Sequence, residues 1–277
     1  MSRATVLAVV SDLHCGGTTA LCPDRIELDD GGFYTPSKAQ SWLWWCWNEY
    51  WTQVAVTAKA HKARLVQIFN GDLVEGDHHR TTQIMSGNPN AQAAVVNAAM
   101  AVPLALKPAA IYIVRGTGAH VGNSASAEER IADGLRRDKR PIVGDEETGT
   151  ASHWHARLDF SGVRVDVAHH GRTGFREHTR SAAATYYAND IFLGHAKDGD
   201  PHPHLAFRGH HHRFNDSYDA APTRVITTGC WQLSTEFGHK VAADTLPDFG
   251  GAIVVIRDEH YTVEKIEFKG ERPWRAA

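Results

Sequence analysis

No apolar run in this 277-residue chain approaches the ~20 residues needed to cross a bilayer, which excludes a conventional membrane-spanning helix. The start, Met1-Ser2-Arg3-Ala4, lacks the cationic stretch, apolar run and small-residue cleavage site of a secretory signal, so a soluble cytoplasmic protein is expected. Cysteine is scarce: Cys15, Cys22, Cys46 and Cys230 form no C-x-x-C pair and are too few for a disulfide framework, so reduced, packed thiols are expected. Neither sign of charge dominates, with 29 Lys+Arg against 32 Asp+Glu and a net charge of −3. That balance excludes a global nucleic-acid footprint and leaves only a local basic patch open. There is no internal repeat, low-complexity tract or dividing linker. One domain over residues 1–277 is therefore expected, 42% apolar and long enough for a substantial core. What the chain has in excess is histidine, 18 in all, many of them clustered.

Strand and helix signals alternate through the first half. Residues 5–10 are apolar and β-branched, a buried strand. Thr35-Pro36 reads as a helix N-cap followed by proline, opening a helix to about residue 62. That helix carries Trp42, Trp44, Trp45, Trp47 and Trp51, and Trp44, Trp47, Trp51, Val54 and Ala58 fall at helical spacing on one stripe. Core packing is the plain reading. Five tryptophans exceed what one face needs, so a partner or homo-oligomer surface is the second. Residues 65–69 and 111–114 read as strands, 91–102 and 127–138 as helices, and 153–167 as a hairpin turning at Ser161-Gly162. A helix near 177–189 is followed by strands at 191–193, 205–208, 224–228, 252–256 and 263–268. Two long polar loops, 15–34 and 73–90, follow chemistry-bearing residues and are candidates for a substrate rim.

Those residues recur in a fixed order, each after a short strand: Asp12-Leu13-His14, Gly71-Asp72, a Gly-Thr turn ending in His120, His169-His170-Gly171, and Gly209-His210-His211-His212. Carboxylates and imidazoles delivered to several strand ends can converge on a pair of divalent metals, a standard device for hydrolysing phosphate esters. Each piece alone has a bland alternative. D-x-H matches occur by chance, Gly-Asp is a common turn, and a histidine at a strand end is often only structural. Three consecutive histidines behind a strand and a glycine are harder to explain as packing, and alternation would put His210 and His212 on one side.

On these residues the chain resembles the calcineurin-like metallophosphoesterase family over about residues 5 to 215. The resemblance implies an α/β (α+β-like) fold, a four-layer sandwich of two mixed β-sheets flanked by α-helices, with a dinuclear centre at the carboxyl ends of the strands. It implies Asp12, His14 and His212 around one ion, Asp72 bridging, and His170 and His210 around the other. His170 is preferred to His169 because the family's ligand stands next to glycine. A metal-bridging hydroxide would attack phosphorus in line. His and Asp ligands suit Mn, Fe, Zn or Ni, and Mn is the cation expected to serve in an assay.

One departure stands out. The family's third motif is Gly-Asn-His followed by an acid, the asparagine being a ligand of the second metal. Here residues 115–120 read Arg-Gly-Thr-Gly-Ala-His, without the asparagine. His120 is placed as the catalytic histidine, contacting phosphate or protonating the leaving group. Thr117 or water stands in for the asparagine; His120 itself and Asn123 are the other candidates for that ligand. Arg115, His78 and Arg172 are the substrate-binding candidates, with His79, Arg80, Arg176, His178 and Arg180 beside them. Gly194-His195 imitates the last motif but lacks its second histidine, so His195 is read as a loop residue. A phosphodiester, nucleic acid or nucleotide among them, is the favoured substrate. A phosphomonoester, or a binding module that keeps the fold without catalysis, are the alternatives.

Overall fold

The computed structural model describes residues 3–28, 30–172, 179–242 and 245–271. In chain order the elements are β1 (Thr5–Val10), β2 (Ile26–Glu27), β3 (Phe33–Tyr34), α1 (Lys38–Ala60), β4 (Arg64–Asn70), α2 (Pro89–Ala105), β5 (Ala110–Val114), the short α3 (Gly118–Val121) and α4 (Ser126–Arg137). There follow β6 (His155–Phe160), β7 (Val163–Ala168), α5 (Arg180–Asp198), β8 (Leu205–Arg208), β9 (Asn215–Asp216), β10 (Arg224–Thr227), α6 (Glu236–Ala242), β11 (Phe249–Arg257) and β12 (His260–Phe268).

Two mixed five-stranded sheets result, ordered β12-β11-β1-β4-β5 and β6-β7-β8-β10-β9. In the first, β1, β4 and β5 run parallel, β11 is antiparallel to β1, and β12 is antiparallel to β11. In the second, β7, β8 and β10 run parallel. The β6–β7 hairpin turns on Ser161 (φ 54°) and Gly162 (φ 86°), the double positive φ of a two-residue turn whose twist matches its strands.

Strand alternation divides the core into layers. Leu7 and Val9 of β1 meet Val66 and Ile68 of β4 and, across the interface, Val163, Val165, Val167, Leu205 and Phe207 of the second sheet. Val6, Ala8 and Val10 face the other way, onto α1 and α2. On the far side α5 lays Tyr187, Ala188 and Ile191 over Ala206 and Val225. The molecule is thus a four-layer sandwich of helices, sheet, sheet and helix, the architecture that the resemblance implies. Among the described residues no helix is long and apolar enough to cross a membrane.

Several expected boundaries shift. The N-cap of α1 is Ser37 rather than Thr35, because Ser37 and Gln40 close a reciprocal capping box. The strand expected at 191–193 is the continuation of α5: Ala184, Ala188 and Ile191 at helical spacing outweigh a short apolar run. His195 accordingly lies in a helix, not a loop. Pro103 sits inside the last turns of α2 instead of ending it.

The tryptophans of α1 divide between core and surface. Trp47 and Trp51 are fully buried, Trp44 is half-buried, and Trp45 is 58% exposed. Trp47 donates its Nε1–H to Ala99 O at 3.1 Å and meets Trp51 and Trp231 edge-to-face. Trp47→Ala is expected to cost about 3–5 kcal/mol in urea unfolding, as for other large buried aromatics. Trp45→Ala should stay within about 0.5 kcal/mol. Equal effects at the two positions would contradict this division.

Candidate metal centre

The parallel strands of both sheets end on one edge, and the loops leaving β1, β4, β5, β7 and β8 carry the polar residues singled out above. Asp12, His14 and His212 bring ligand atoms within 4.8 Å of one another; so do Asp72, His169 and His210. His14, Asp72 and His120 form a third such group, and Glu75, His78 and His120 a fourth.

The backbone route to this convergence is not the extended one that spacing suggested. Asp12 (φ 57°), His14 (φ 49°), Asp72 (φ 54°), His210 (φ 71°) and His212 (φ 54°) all adopt left-handed conformations. Such residues cost energy and persist where surrounding structure holds them, as at binding sites. They turn His210 and His212 inward, while His211 donates from Nε2 to Gly171 O at 3.0 Å. Gly116 is required by close approach: a Cβ there would lie 2.2 Å from Asp72 Oδ1.

Of the two adjacent histidines, the inward one is His169, a correction to the expected His170. His169 is 1% exposed, its Nδ1–H donates to Asn70 O at 2.6 Å, and its Nε2 lies 3.0 Å from Asp72 Oδ2. His170 is exposed, 3.3 Å from the Thr117 hydroxyl. Strand alternation is the reason: Val163, Val165, Val167 and His169 share one face of β7 and its extension.

Thr117 stands beside the second group. Its N–H donates to Asp72 Oδ1 at 2.6 Å and its hydroxyl lies 3.0 Å from His210 Nδ1. His120 instead sides with His14, their ring centroids 4.5 Å apart. Asn123 is exposed. Arg115 is turned away: it donates to Ser152 Oγ at 2.8 Å, pairs with Glu129 at 3.3 Å and lies over Trp154. Arg172 pairs with Asp190 and lies over Tyr187. Arg180 is held by Asp248 at 2.8 Å. Arg176 and His178 lie outside the described residues.

Electrostatics follow from burial against opposite charge. Burial alone pushes the Asp72 carboxyl up, but the His169 and His14 imidazoles outweigh it and hold the group below its usual range. Asp12 is lowered likewise, burial being overcome by His169, His14 and His212. His120 is pushed down to about 4 by burial and by the neighbouring His14. Two buried acids escaped sequence reading. Glu75 receives His14 and His78. Glu128, on α4, accepts from the N–H groups of Leu73 (3.1 Å) and Gly116 (2.5 Å) and so ties together the loops after β4 and β5. Burial and the Asp72 charge push Glu128 up to about 8. Its signal was present: Glu128 shares the buried stripe of α4 with Ile131, Ala132 and Leu135.

The donor set suits first-row divalent cations: two carboxylates and several imidazoles, with His14 Nε2 and His212 Nε2 facing each other at 3.0 Å. Two imidazole nitrogens so placed present lone pairs to a shared partner, or else need complementary tautomers.

A cleft of about 830 Å³ opens over the cluster. Asp72, Glu75, His78, Thr117, His120 and the 210–212 histidines line its floor; Arg80, Arg213, Phe237 and Lys240 line its rim. The 73–90 loop thus contributes to the rim as expected. The 15–34 loop does not: it pairs behind the rim, through Thr18 N–H to Gln83 O and the Cys15–Val74 bridge.

No family model and no curated protein matches the chain. Among solved structures, it is similar to a hypothetical protein from Pyrococcus horikoshii at 10% identity and a TM-score of 0.45, over 97% of this chain and 89% of that one. A dimetal phosphatase from Danio rerio is similar at 10% identity and a TM-score of 0.45, over 95% and 96% of the two chains. A 5′-nucleotidase from Candida albicans is similar at 9% identity and a TM-score of 0.41, over 97% of this chain and 52% of that one.

Proposed function

We propose that the chain is a metal-dependent phosphoesterase working with two divalent cations, and that it favours phosphodiesters, nucleic acid or nucleotide among them. The carrying observation is the pair of adjacent triads, of which Asp72, His210 and His212 line one cleft, with Asp72 grouped with His14 and His120 as well as with His169 and His210. Asp12, His14 and His212 would hold one cation and Asp72, His169 and His210 the other, with Asp72 shared. When bound, such cations supply Lewis acidity toward phosphoryl oxygens and lower the pKa of water between them.

The chain's own groups do the rest. His120 commits Nδ1–H to Glu75 O at 2.8 Å, which leaves Nε2 to hand a proton to the leaving-group oxygen. A phosphate anion beside it favours the imidazolium, against the burial that otherwise lowers its pKa. The rim cations Arg80, Arg213 and Lys240, with Phe237 72% exposed among them, suit an anionic ligand larger than phosphate itself. Four buried free cysteines suit a reducing cytoplasm.

The test is hydrolysis of bis-p-nitrophenyl phosphate beside p-nitrophenyl phosphate by metal-stripped protein given back Mn²⁺. Metal-dependent turnover favouring the diester is expected. A monoester preference would move the assignment to a phosphomonoesterase. Silence on both with Mn²⁺, Fe²⁺, Zn²⁺ and Ni²⁺ would leave a binding module of the same fold.

A further inference from the structure

We infer that the edge carrying the centre is a track for a single strand of nucleic acid, with Trp154 and Phe237 as stacking platforms on its two flanks; the choice of ligand rests on the function proposed above. The two rings are 53% and 72% exposed. Trp154 stands at one end of the edge. β6 is the outermost strand of the second sheet and lies beside β5, the outermost of the first. The ladder of β6 with β7 closes on His155 opposite Ala168, so Trp154 and His169 are the next residues of the two chains. Phe237 stands at the other end, on α6 in the crossing from β10 to β11, and lines the cleft. The strands that deliver Asp12, Asp72, His169 and His210 lie between. β6 and β10 are three strand spacings apart, about 14 Å. A single strand covers that span in about four nucleotides, at ~3.4 Å for each stacked base.

Local structure holds both platforms in place. The Arg115 guanidinium lies over the Trp154 ring at 5.0 Å and is itself held by Ser152 and Glu129, which fixes the ring while half of it meets water. Glu236 N–H, one residue before Phe237, donates to Gln83 Oε1 at 2.8 Å and ties α6 to the 73–90 loop on the cleft rim. Arg80 and Lys240 are exposed on that same rim. Cations beside an aromatic ring suit a ligand in which phosphate alternates with base. A duplex hides its base faces and is bound through a broad basic surface, which does not fit a chain of net charge −3. An unpaired strand offers every base as a π-face, so stacking here would tolerate any sequence.

The experiment reads binding by fluorescence anisotropy, with the full chain in Mn²⁺ and a labelled twelve-nucleotide phosphorothioate oligothymidylate, whose linkages resist hydrolysis. That strand is expected to bind at least about ten-fold tighter than a thymidine dinucleotide, which cannot reach both rings. Trp154→Ala and Phe237→Ala should each weaken its binding about 5- to 100-fold, and Trp154→Phe and Phe237→Trp should restore most of it. An abasic strand of the same length keeps the phosphates and loses the bases. It should bind wild type as weakly as the double Ala variant binds the thymidylate. An abasic strand or a duplex that binds wild type as well as the thymidylate overturns the proposal, and so does a double Ala variant that binds normally. Should a variant fail to fold, the abasic comparison on wild type decides alone. Hydrolysis of bis-p-nitrophenyl phosphate is followed beside it. Turnover of that diester with no preference for the longer strand removes the track and keeps the enzyme. Ring-dependent binding with no turnover under any cation keeps the track and removes the enzyme.

Discussion

Asp72→Asn is expected to lower turnover about a thousand-fold, on the order of 4 kcal/mol of barrier, and to weaken both cations at once. The reasoning is one of charge. Asp12 and Asp72 are the only carboxylates in the two triads, so the four positive charges of two divalent ions meet only two negative ones. The exchange halves that compensation at a position 1% exposed, where water cannot make up the loss. Shape is kept, so the fold should survive, and the Thr117 N–H can still find the amide oxygen. Metal analysis of the dialysed variant, beside its rate on bis-p-nitrophenyl phosphate, gives the answer. Two tightly held Mn²⁺ and near-normal turnover would remove Asp72 from the centre.

The second large effect separates two neighbours. His169→Ala is expected to lose one cation per chain and to cut activity by at least the roughly 100-fold that removing a mere supporting partner costs. It removes Nε2 from Asp72 and leaves the Asn70 carbonyl without its buried donor. His170→Ala, on the exposed side, should keep both cations and stay within about three-fold of wild type, as exposed positions generally do. The reverse pattern would restore the ligand set that the family resemblance first suggested.

That pair also shows where sequence reading succeeds and where it stops. All the strands of both sheets except β9 were legible from apolar runs or alternation, and the ends of those strands pointed to Asp12, His14, Asp72, His210 and His212, which the structure brings to one edge. The choice between His169 and His170 went to the glycine-adjacent position of a family pattern, although the valines at 163, 165 and 167 already carried the period-two count to 169. Arg115 is expected from the sequence to bind substrate. Only the tertiary placement of Ser152 and Glu129 shows that its guanidinium is spent elsewhere. Glu75 lies 157 residues from Gln232, and no local pattern connects the two. Helix α5 absorbed a strand because its apolar spacing is satisfied by the face of a sheet that the chain had not yet built at that point in the sequence.

Each proposed triad draws on both sheets: Asp12 and His14 follow β1 while His212 follows β8, and Asp72 follows β4 while His169 and His210 follow β7 and β8. A cation held by either triad is therefore a cross-link, stitching together chain segments 198 residues apart between His14 and His212 and 97 apart between Asp72 and His169. Unlike a disulfide, such a link forms only once the chain has folded and is lost on unfolding, in a protein whose described cysteines are all free. Binding free energy then becomes folding free energy: about 2.7 kcal/mol per site at a hundred times Kd. The halves of the sandwich, joined otherwise by an apolar interface and by polar contacts such as those of Asn70 with Ala168 and His169, would loosen together on chelation, so that the supply of cation governs the lifetime of the molecule as well as its chemistry.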